Sequence, residues 1–402
     1  MQVLVLNCGS STVKFQLLEL GGDAVSAASI RWLARGMVDR FGADAMLRFE
    51  SAGNPAEKKP TSAYNHGEAV EAIFGRLKSD SNAPEFDVVA HRVVHGGDRF
   101  RSAVVIDESV IDALEALCEL APLHNPPSLA GIQAARSLLG SSVTMVAAFD
   151  TSFHRTIPDY AATYGIPHEL ASKHKIRRYG FHGFAHKYSA VRYREITGAI
   201  KEDINIITLH LGNGCSACAI RGGESVDTSM GFTPLEGLMM GTRSGDIDPA
   251  LVAFLTEAEG VEAGTVEKWL NERAGLLGIS EISSDMRDLV SDYDKKPRAR
   301  LAVEVFCYRA RKYLGAYLAV LGGAQAVVFS GGIGENSPFI REKICDGMDW
   351  CGLRLDKKKN AVMVGGERRI SNEDALIHIF VIPSNEEAVM AREAAMLLAQ
   401  DR

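Results

Sequence analysis

One arrangement occurs in both halves of this chain and limits what it can fold into. Residues 2–20, QVLVLNCGSSTVKFQLLEL, pass from an apolar stretch through a polar residue and a glycine-containing turn into a second apolar stretch. Residues 204–225, INIITLHLGNGCSACAIRGGES, repeat that layout around Gly212-Asn213-Gly214. Each unit reads as strand, turn, strand. The plainest reading of one such unit is a hairpin, with Gly and Ser supplying turn conformations and Lys14 solvated. A second reading is a phosphate cradle: exposed backbone N–H groups at a glycine turn form an anion nest, and hydroxyls and a lysine add donors. Two related units in 402 residues predict two domains with a duplicated core.

The rest of the chain alternates in the same α/β manner. Strands are expected at 2–7, 13–20, 86–97 and 143–150, helices at 67–79, 107–120 and 128–139, and a polar loop at 50–66. A loop-rich segment with two prolines, residues 151–170, marks the domain boundary. Beyond it come a long helix at about 298–321, a strand entering the glycine-rich turn of AQAVVFSGGIGENSPF, a strand at 378–387 and a closing helix. Several strands end in Gly or acidic residues. Ligands in open α/β folds bind beyond the carboxyl ends of strands, so these turns are expected to surround a cleft.

Charge and composition exclude several classes. The net charge is -7, with no basic excess for nucleic acid. No apolar run is long enough to span a membrane, and the N-terminus has no signal-peptide pattern. Seven scattered cysteines suit a reducing, cytoplasmic setting better than a disulfide framework. Cys215 and Cys218 have CxxC spacing, but on a strand they point to opposite faces and no second pair accompanies them, so zinc is disfavoured. His182 and His186, like His91 and His95, are four apart without the glutamate of a metalloprotease helix.

There is no GxxxxGK[ST] loop, GGIGEN does not complete GxGxxG, and protein-kinase motifs are missing. What remains is Arg92 in AHRVVHGG, Asp150 closing VAAFD, His182 in RRYGFHG, Arg243 in GTRSGDIDP and Glu386 after IPSN. Each has an ordinary structural reading: a surface ion pair, a helix cap, a satisfied buried histidine. Their shared position at strand ends or glycine turns favours a site.

At these residues the chain resembles the acetate kinase family. NCGSSTVKFQL, HRVVHGG, LAPLHNPP, FDTSFHRTIP, YGFHG, HLGNG, MGFTPLEGLMMGTRSGDIDP, SSDMRDL, GGIGEN and IPSNEE stand in the family's order from residue 3 to about 390. The resemblance implies a two-domain duplicated actin-like ATPase (ribonuclease H-like) α/β fold with an interdomain nucleotide cleft. It places one domain at 1–151 plus the closing helix at 386–402, and a nucleotide-binding domain at 152–385. It implies reversible transfer of the ATP γ-phosphoryl group to acetate, giving ADP and acetyl phosphate, with Mg²⁺ (or Mn²⁺ in its place) and a homodimer. Asn7 and Glu386 would help hold the metal. Ser10, Ser11, Thr12 and Lys14 would line the first phosphate turn, and His210, Leu211, Gly212, Asn213 and Gly214 the second. Asp285, Met286 and Arg287, with the turn Gly331, Gly332, Ile333, Gly334, Glu335 and Asn336, would hold the nucleoside. Arg92 and Arg243 would bracket acetate and the moving phosphoryl group. His182 would donate to its equatorial oxygens. Asp150 would be an acid-base or positioning carboxylate, and positioning is expected because acetate is already ionised at neutral pH.

The family's methyl pocket matches Val94, Leu123, Phe181 and Pro234, and the size of Val94 predicts acetate over propionate. A propionate or butyrate kinase of the same fold is the nearest alternative. A partner-driving ATPase would not need paired arginines, and a sugar kinase would carry polar residues at the methyl pocket. Two departures stand out. Glu281 occupies an expected glycine position, and Phe184-Ala185 replaces the usual Thr-Ser.

Overall fold

The computed structural model describes residues 1–21, 30–80, 85–119, 121–122, 124–140, 142–362 and 365–400. The chain divides into two compact units, residues 1–152 with 385–402, and residues 153–384.

The first unit holds a sheet of eight strands: β1 (Gln2–Cys8), β2 (Thr12–Leu20), β3 (Ile30–Asp39), β4 (Met46–Ser51), β5 (Glu57–Pro60), β6 (Val88–Val93), β7 (Val104–Val105) and β8 (Thr144–Phe149). Their order is β5-β4-β3-β2-β1-β6-β8-β7. β1 and β2 form the expected hairpin, with Asn7 opposite Lys14. β1, β6 and β8 are parallel neighbours, so their carboxyl ends share one edge. β1 is apolar on both faces, as a strand covered on both sides must be. Leu4, Leu6 and Cys8 enter a cluster with Val70, Ile73 and Ala135. Val3 and Val5, on the opposite pleat, are equally buried. The closing helix Glu386–Gln400 packs on β1, β2, β6 and β8.

The second unit holds β9 (Asn205–Leu211), β10 (Cys215–Arg221), β11 (Glu224–Thr228), β12 (Ala326–Ser330), β13 (Arg368–Arg369) and β14 (His378–Val381), in the order β11-β10-β9-β12-β14-β13. This is the same pattern as β3-β2-β1-β6-β8-β7. In each, a hairpin is followed by two parallel strands beside its first strand and a short antiparallel edge strand. The duplication expected from the two hairpin segments is therefore a duplication of whole sheets. Helix Gly183–Thr197 packs on β9 and β12, and the long helix Pro297–Leu321 on β9 and β10.

Several local expectations are corrected. Residues 50–66 are not simply a polar loop: the end of β4 and all of β5 lie there, because an edge strand exposed on one side can be as polar as EKKP. The helix expected from 128 begins at Asn125, with prolines in its first turn where no N–H is needed. Residues 331–336 form a short helix, Gly331–Asn336, rather than a turn. Glu281 ends helix Gly275–Ser280 in the left-handed conformation, φ 55°. That explains why glycine was expected at this position. Phe184 and Ala185 are buried in the first turn of helix Gly183–Thr197, so the second departure is absorbed as packing.

Candidate functional site

In the first unit the parallel strand ends assemble a charged group. Asn7 is the penultimate residue of β1, Arg92 lies near the end of β6, and Asp150 directly follows β8. Arg92 Nη2 donates to Asp150 Oδ2 at 2.9 Å and Nη1 to Asn7 Oδ1 at 3.5 Å. Glu386, the first residue of the closing helix, brings Oε2 to 3.9 Å from Arg92 Nε. The Asp150 side chain is 1% exposed and that of Arg92 18%. Burial pushes the Glu386 carboxyl up to about 7, Arg92 pulls it down, and Asp150 and Glu387 push it up again. Desolvation works against the Arg92 cation, but Asp150 and Glu386 outweigh it and its pKa is raised. Two carboxylates thus compete for one guanidinium.

Beside this group the β1–β2 turn presents Ser10 and Ser11 to solvent, with Thr12 half-buried and Lys14 exposed. The Gly9 N–H donates to Thr12 O at 2.8 Å, and His66 Nε2 donates to the Gly9 carbonyl at 2.7 Å. His66 was not foreseen as part of this turn, and no local pattern marks it. Val94 is buried just beyond β6. His95 locks the segment after it, exchanging hydrogen bonds with Asn125 through its backbone and accepting from Gly97 N–H at Nδ1. Leu123 lies outside the described residues.

In the second unit the β9–β10 turn Gly212–Gly214 lies against two expected site residues. A Cβ on Gly214 would stand 3.2 Å from Arg243 Nη2 and 3.3 Å from His182 Cε1, so both side chains pack closely over this glycine. Arg243 is held by Nη1 donating to the Pro234 carbonyl at 2.8 Å, and burial lowers its pKa. His182 caps helix Gly183–Thr197 in the left-handed conformation, φ 57°. Phe181 is buried, and its carbonyl accepts from His154 Nε2 at 3.0 Å.

His182 Nδ1 and His186 Nε2 lie 2.9 and 2.7 Å from the same atom, Ser216 Oγ. His186 Nδ1 lies 2.7 Å from Thr208 Oγ1. The four-residue spacing of the two histidines therefore serves a shared hydroxyl. Ser216 and Thr208 were not singled out from sequence, and nothing local marks them. His210 lies across from Ser216 in the ladder, with Nδ1 3.1 Å from Ser330 Oγ and its ring 4.8 Å from that of His182.

A cavity of about 820 Å³ opens beside the same glycine turn. It joins Gly212 and Asn213 to Asp285, Met286, Arg287, Gly332, Ile333 and Asn336, all expected for the nucleoside. Ser284, Val290, Ser337, Pro338 and Phe339, which were not expected, complete it. Asp285 caps helix Met286–Ser291 and pairs with the exposed Arg287 at 2.5 Å. Gly331, at φ 76°, places its N–H on Glu335 Oε1 at 2.8 Å, and Ser384 N–H donates to the same oxygen at 3.0 Å. A Cβ on Gly331 would meet the Leu211 carbonyl at 2.7 Å. The cavity is lined mainly by apolar groups with a few fixed polar ones, the usual make-up of a small-molecule site.

Three deeply buried histidines set an acid limit. Burial lowers His91 to about 3, lowers His95 to about 4, and holds His186 well below the ordinary range, where His154 and His210 add repulsion. Folded histidines of this kind stay neutral, so their contribution is complete above the unfolded pKa near 6.5 and is lost as pH falls below it. At pH 5 each costs about 2 kcal/mol. Glu386 has the opposite sign, because its raised pKa favours the folded state as pH falls through 7, and it offsets about 2 kcal/mol. Urea unfolding is therefore expected to show about 4 kcal/mol less stability at pH 5 than at pH 7. Equal stability at the two pH values would show that these histidines are protonated in the folded protein.

Comparison with known proteins extends these local findings to the whole chain. The family profile described as Acetokinase family matches residues 2–392. The acetate kinase of Chloroherpeton thalassium is 46% identical, covering 98% of both chains. That of Solibacter usitatus is 47% identical, covering 98% of this chain and 97% of the relative. Among solved structures, Porphyromonas gingivalis acetate kinase superposes with a TM-score of 0.91 at 41% identity, covering 99% of each chain. A propionate kinase from Francisella tularensis superposes at 0.89 and 36% identity, covering 98% of each. The duplicated sheets are thus those of the two-domain actin-like ATPase fold. With relatives so similar over their full length, the chain belongs to the acetokinase family, kinases that pass a phosphoryl group to a carboxylate.

Proposed function

We propose that this protein transfers the γ-phosphoryl group of ATP to acetate, reversibly, with the half-sites described above supplying its machinery. The observation that carries the residue assignment is the Arg92 guanidinium at the ends of β1, β6 and β8, surrounded by Asn7, Asp150 and Glu386. A guanidinium fixed in this way offers a planar fork to a carboxylate. Arg92 binds the acetate carboxylate, and Asp150 fixes the orientation of Arg92. Acetate is already an anion, so no proton has to be removed from it, and Asp150 is a positioning group. Ser10, Ser11, Thr12 and Lys14 donate to ATP phosphates at the first turn. Residues 210–214 do so at the second, and the 820 Å³ cavity takes the nucleoside. His182 and Arg243 donate to the oxygens of the transferred group, where charge accumulates. Phosphoryl transfer depends mainly on such alignment and charge neutralisation.

The same acidic group fits a divalent cation. Asn7 and Glu386 offer hard oxygen donors beside Asp150, and desolvation with the nearby Asp150 and Glu387 carboxylates raises the Glu386 pKa despite Arg92 and Lys14. Among the described residues no cluster of three or more His, Cys, Asp or Glu side chains forms a metal cage. That agrees with Mg²⁺, which takes few protein ligands and keeps water and phosphate oxygens. Mg²⁺ would neutralise phosphate charge there, held by Asn7 and Glu386.

Val94 sets acceptor size. Val94→Ala is expected to narrow the preference for acetate over propionate by about 1–3 kcal/mol in relative kcat/KM. An unchanged ratio would remove Val94 from the pocket. In this reading the protein is cytoplasmic and a homodimer. Light scattering at the assay concentration tests the dimer.

The defining assay supplies Mg·ATP with acetate, propionate, butyrate or no acceptor, with and without chelator. Fastest turnover with acetate and none without metal is expected. Faster turnover with a longer acid would move the assignment to a sister kinase, and acceptor-independent hydrolysis would overturn it.

A further inference from the structure

The phosphate-facing histidine is not held alone. We infer that Ser216 and His186 form a hydrogen-bond relay that sets which ring nitrogen of His182 carries its proton. The inference rests on the reading of His182 as a donor to the transferred phosphoryl group. Ser216 Oγ contacts His182 Nδ1 and His186 Nε2 at once, and His186 Nδ1 reaches Thr208 Oγ1. Ser216, His186 and Thr208 are each 0% exposed, so bulk water cannot substitute for any member.

The sheet register explains the assembly. Ser216 lies opposite His210, and Cys218 opposite Thr208, so Thr208, His210 and Ser216 share one face of the β9–β10 hairpin. Helix Gly183–Thr197 packs on β9. His182 and His186 lie on one side of that helix because four residues make about one turn.

Each member constrains the next. Burial keeps His186 neutral, so it has one N–H and one bare nitrogen. The Ser216 hydroxyl has one proton, and so has that of Thr208. Two consistent patterns follow. In one, Thr208 donates to His186 Nδ1, His186 Nε2–H donates to Ser216, and Ser216 donates to His182 Nδ1. Neutral His182 then carries its proton on Nε2, the donor a phosphoryl oxygen needs. In the other, every bond is reversed, and neutral His182 turns a lone pair outward from Nε2. An anionic phosphoryl group at Nε2 selects the first pattern and orders all three bonds together. Among the described residues, His154, His210 and Arg243 face this cluster. His154 and His210 approach as rings at 5.8 Å from His186 and 4.8 Å from His182, and Arg243 as a neighbour of His182 across Gly214. Ser216 and His186 are therefore positioning residues, acting through His182.

The test compares Ser216→Ala, Thr208→Val and His182→Ala with the parent in Mg·ATP and acetate, and reads histidine tautomers by NMR on ¹⁵N-histidine-labelled protein. Ser216→Ala is expected to lower kcat about tenfold, with KM for ATP held within about twofold. It is also expected to shift the acidic limb of the kcat–pH profile and to turn the His182 signals from the Nε2–H form into a mixture. Thr208→Val should move each readout the same way by less. Loss of activity in His182→Ala with unchanged His182 signals and pH profile in Ser216→Ala would overturn the relay and leave the hydroxyl a packing group. Full activity in His182→Ala would overturn the phosphoryl role of His182, and the tautomer signals in Ser216→Ala would still decide the relay.

Discussion

Arg92→Ala is expected to lower kcat/KM for acetate by about 10³-fold while KM for ATP stays within a few-fold of the parent. The guanidinium lies 2.9 Å from Asp150 and 3.9 Å from Glu386, between the two carboxylates. In the proposed role its removal takes away the partner of the incoming carboxylate, and it also removes a positive charge from beside Asp150 and Glu386. Glu386, already raised to about 7, would be driven higher still, so near neutral pH the variant should hold fully a proton that the parent holds about half of the time. Arg92→Lys should recover only part of the loss, because an ammonium keeps the charge and gives up the planar fork. Steady-state kinetics in both substrates decides the matter. An acetate KM and kcat within threefold of the parent in Arg92→Ala would place the acceptor elsewhere.

Arg341→Met should produce the largest stability loss. Arg341 is 0% exposed, and burial lowers its pKa to about 10, with Arg368 adding repulsion. Its side chain donates to the carbonyls of Gly334 at 2.8 Å, Glu335 at 3.0 Å and Asn360 at 3.0 Å, and to Asn360 Oδ1 at 2.8 Å. It thereby satisfies the carboxyl end of helix Gly331–Asn336, whose Ile333 and Asn336 line the cavity proposed for the nucleoside. Methionine fills much of the volume but removes all four hydrogen bonds, with the Glu335 carbonyl keeping Arg368 Nη2 at 3.3 Å. A loss of about 3–5 kcal/mol in urea unfolding is expected, with a higher KM for ATP and an unchanged KM for acetate. Parent-like stability would mean that water replaces the guanidinium.

Much of the first unit's charged group was legible in sequence because its members sit in short local signals. Gly9-Ser10-Ser11 marks a turn by its own backbone chemistry, Arg92 stands one residue before the end of buried β6, and Asp150 directly follows buried β8. The duplication was also legible, since an apolar run, a turn and another apolar run can fold locally as a hairpin. Local signals were less reliable at the edges. The polar strand β5 looked like a loop because an edge strand need not alternate, and GGIGEN looked like a turn because glycine has a low helix propensity that tertiary context overrides here.

Other features exist only once the chain is folded. Asn7, Arg92, Asp150 and Glu386 meet because three parallel strands share an edge and the closing helix returns to them. Ser216 becomes a partner of two histidines only through the β9–β10 register and the packing of helix Gly183–Thr197 on β9. Arg341 can be buried only because carbonyls from two separate segments converge on it. The sequence by itself determined the α/β alternation, the repeated hairpins and the turn residues, since backbone conformation and hydrophobic period act over a few neighbours. Tertiary structure alone decided which polar groups face one another, because hydrogen bonds and ion pairs depend on distances of about 3 Å between residues that are far apart along the chain.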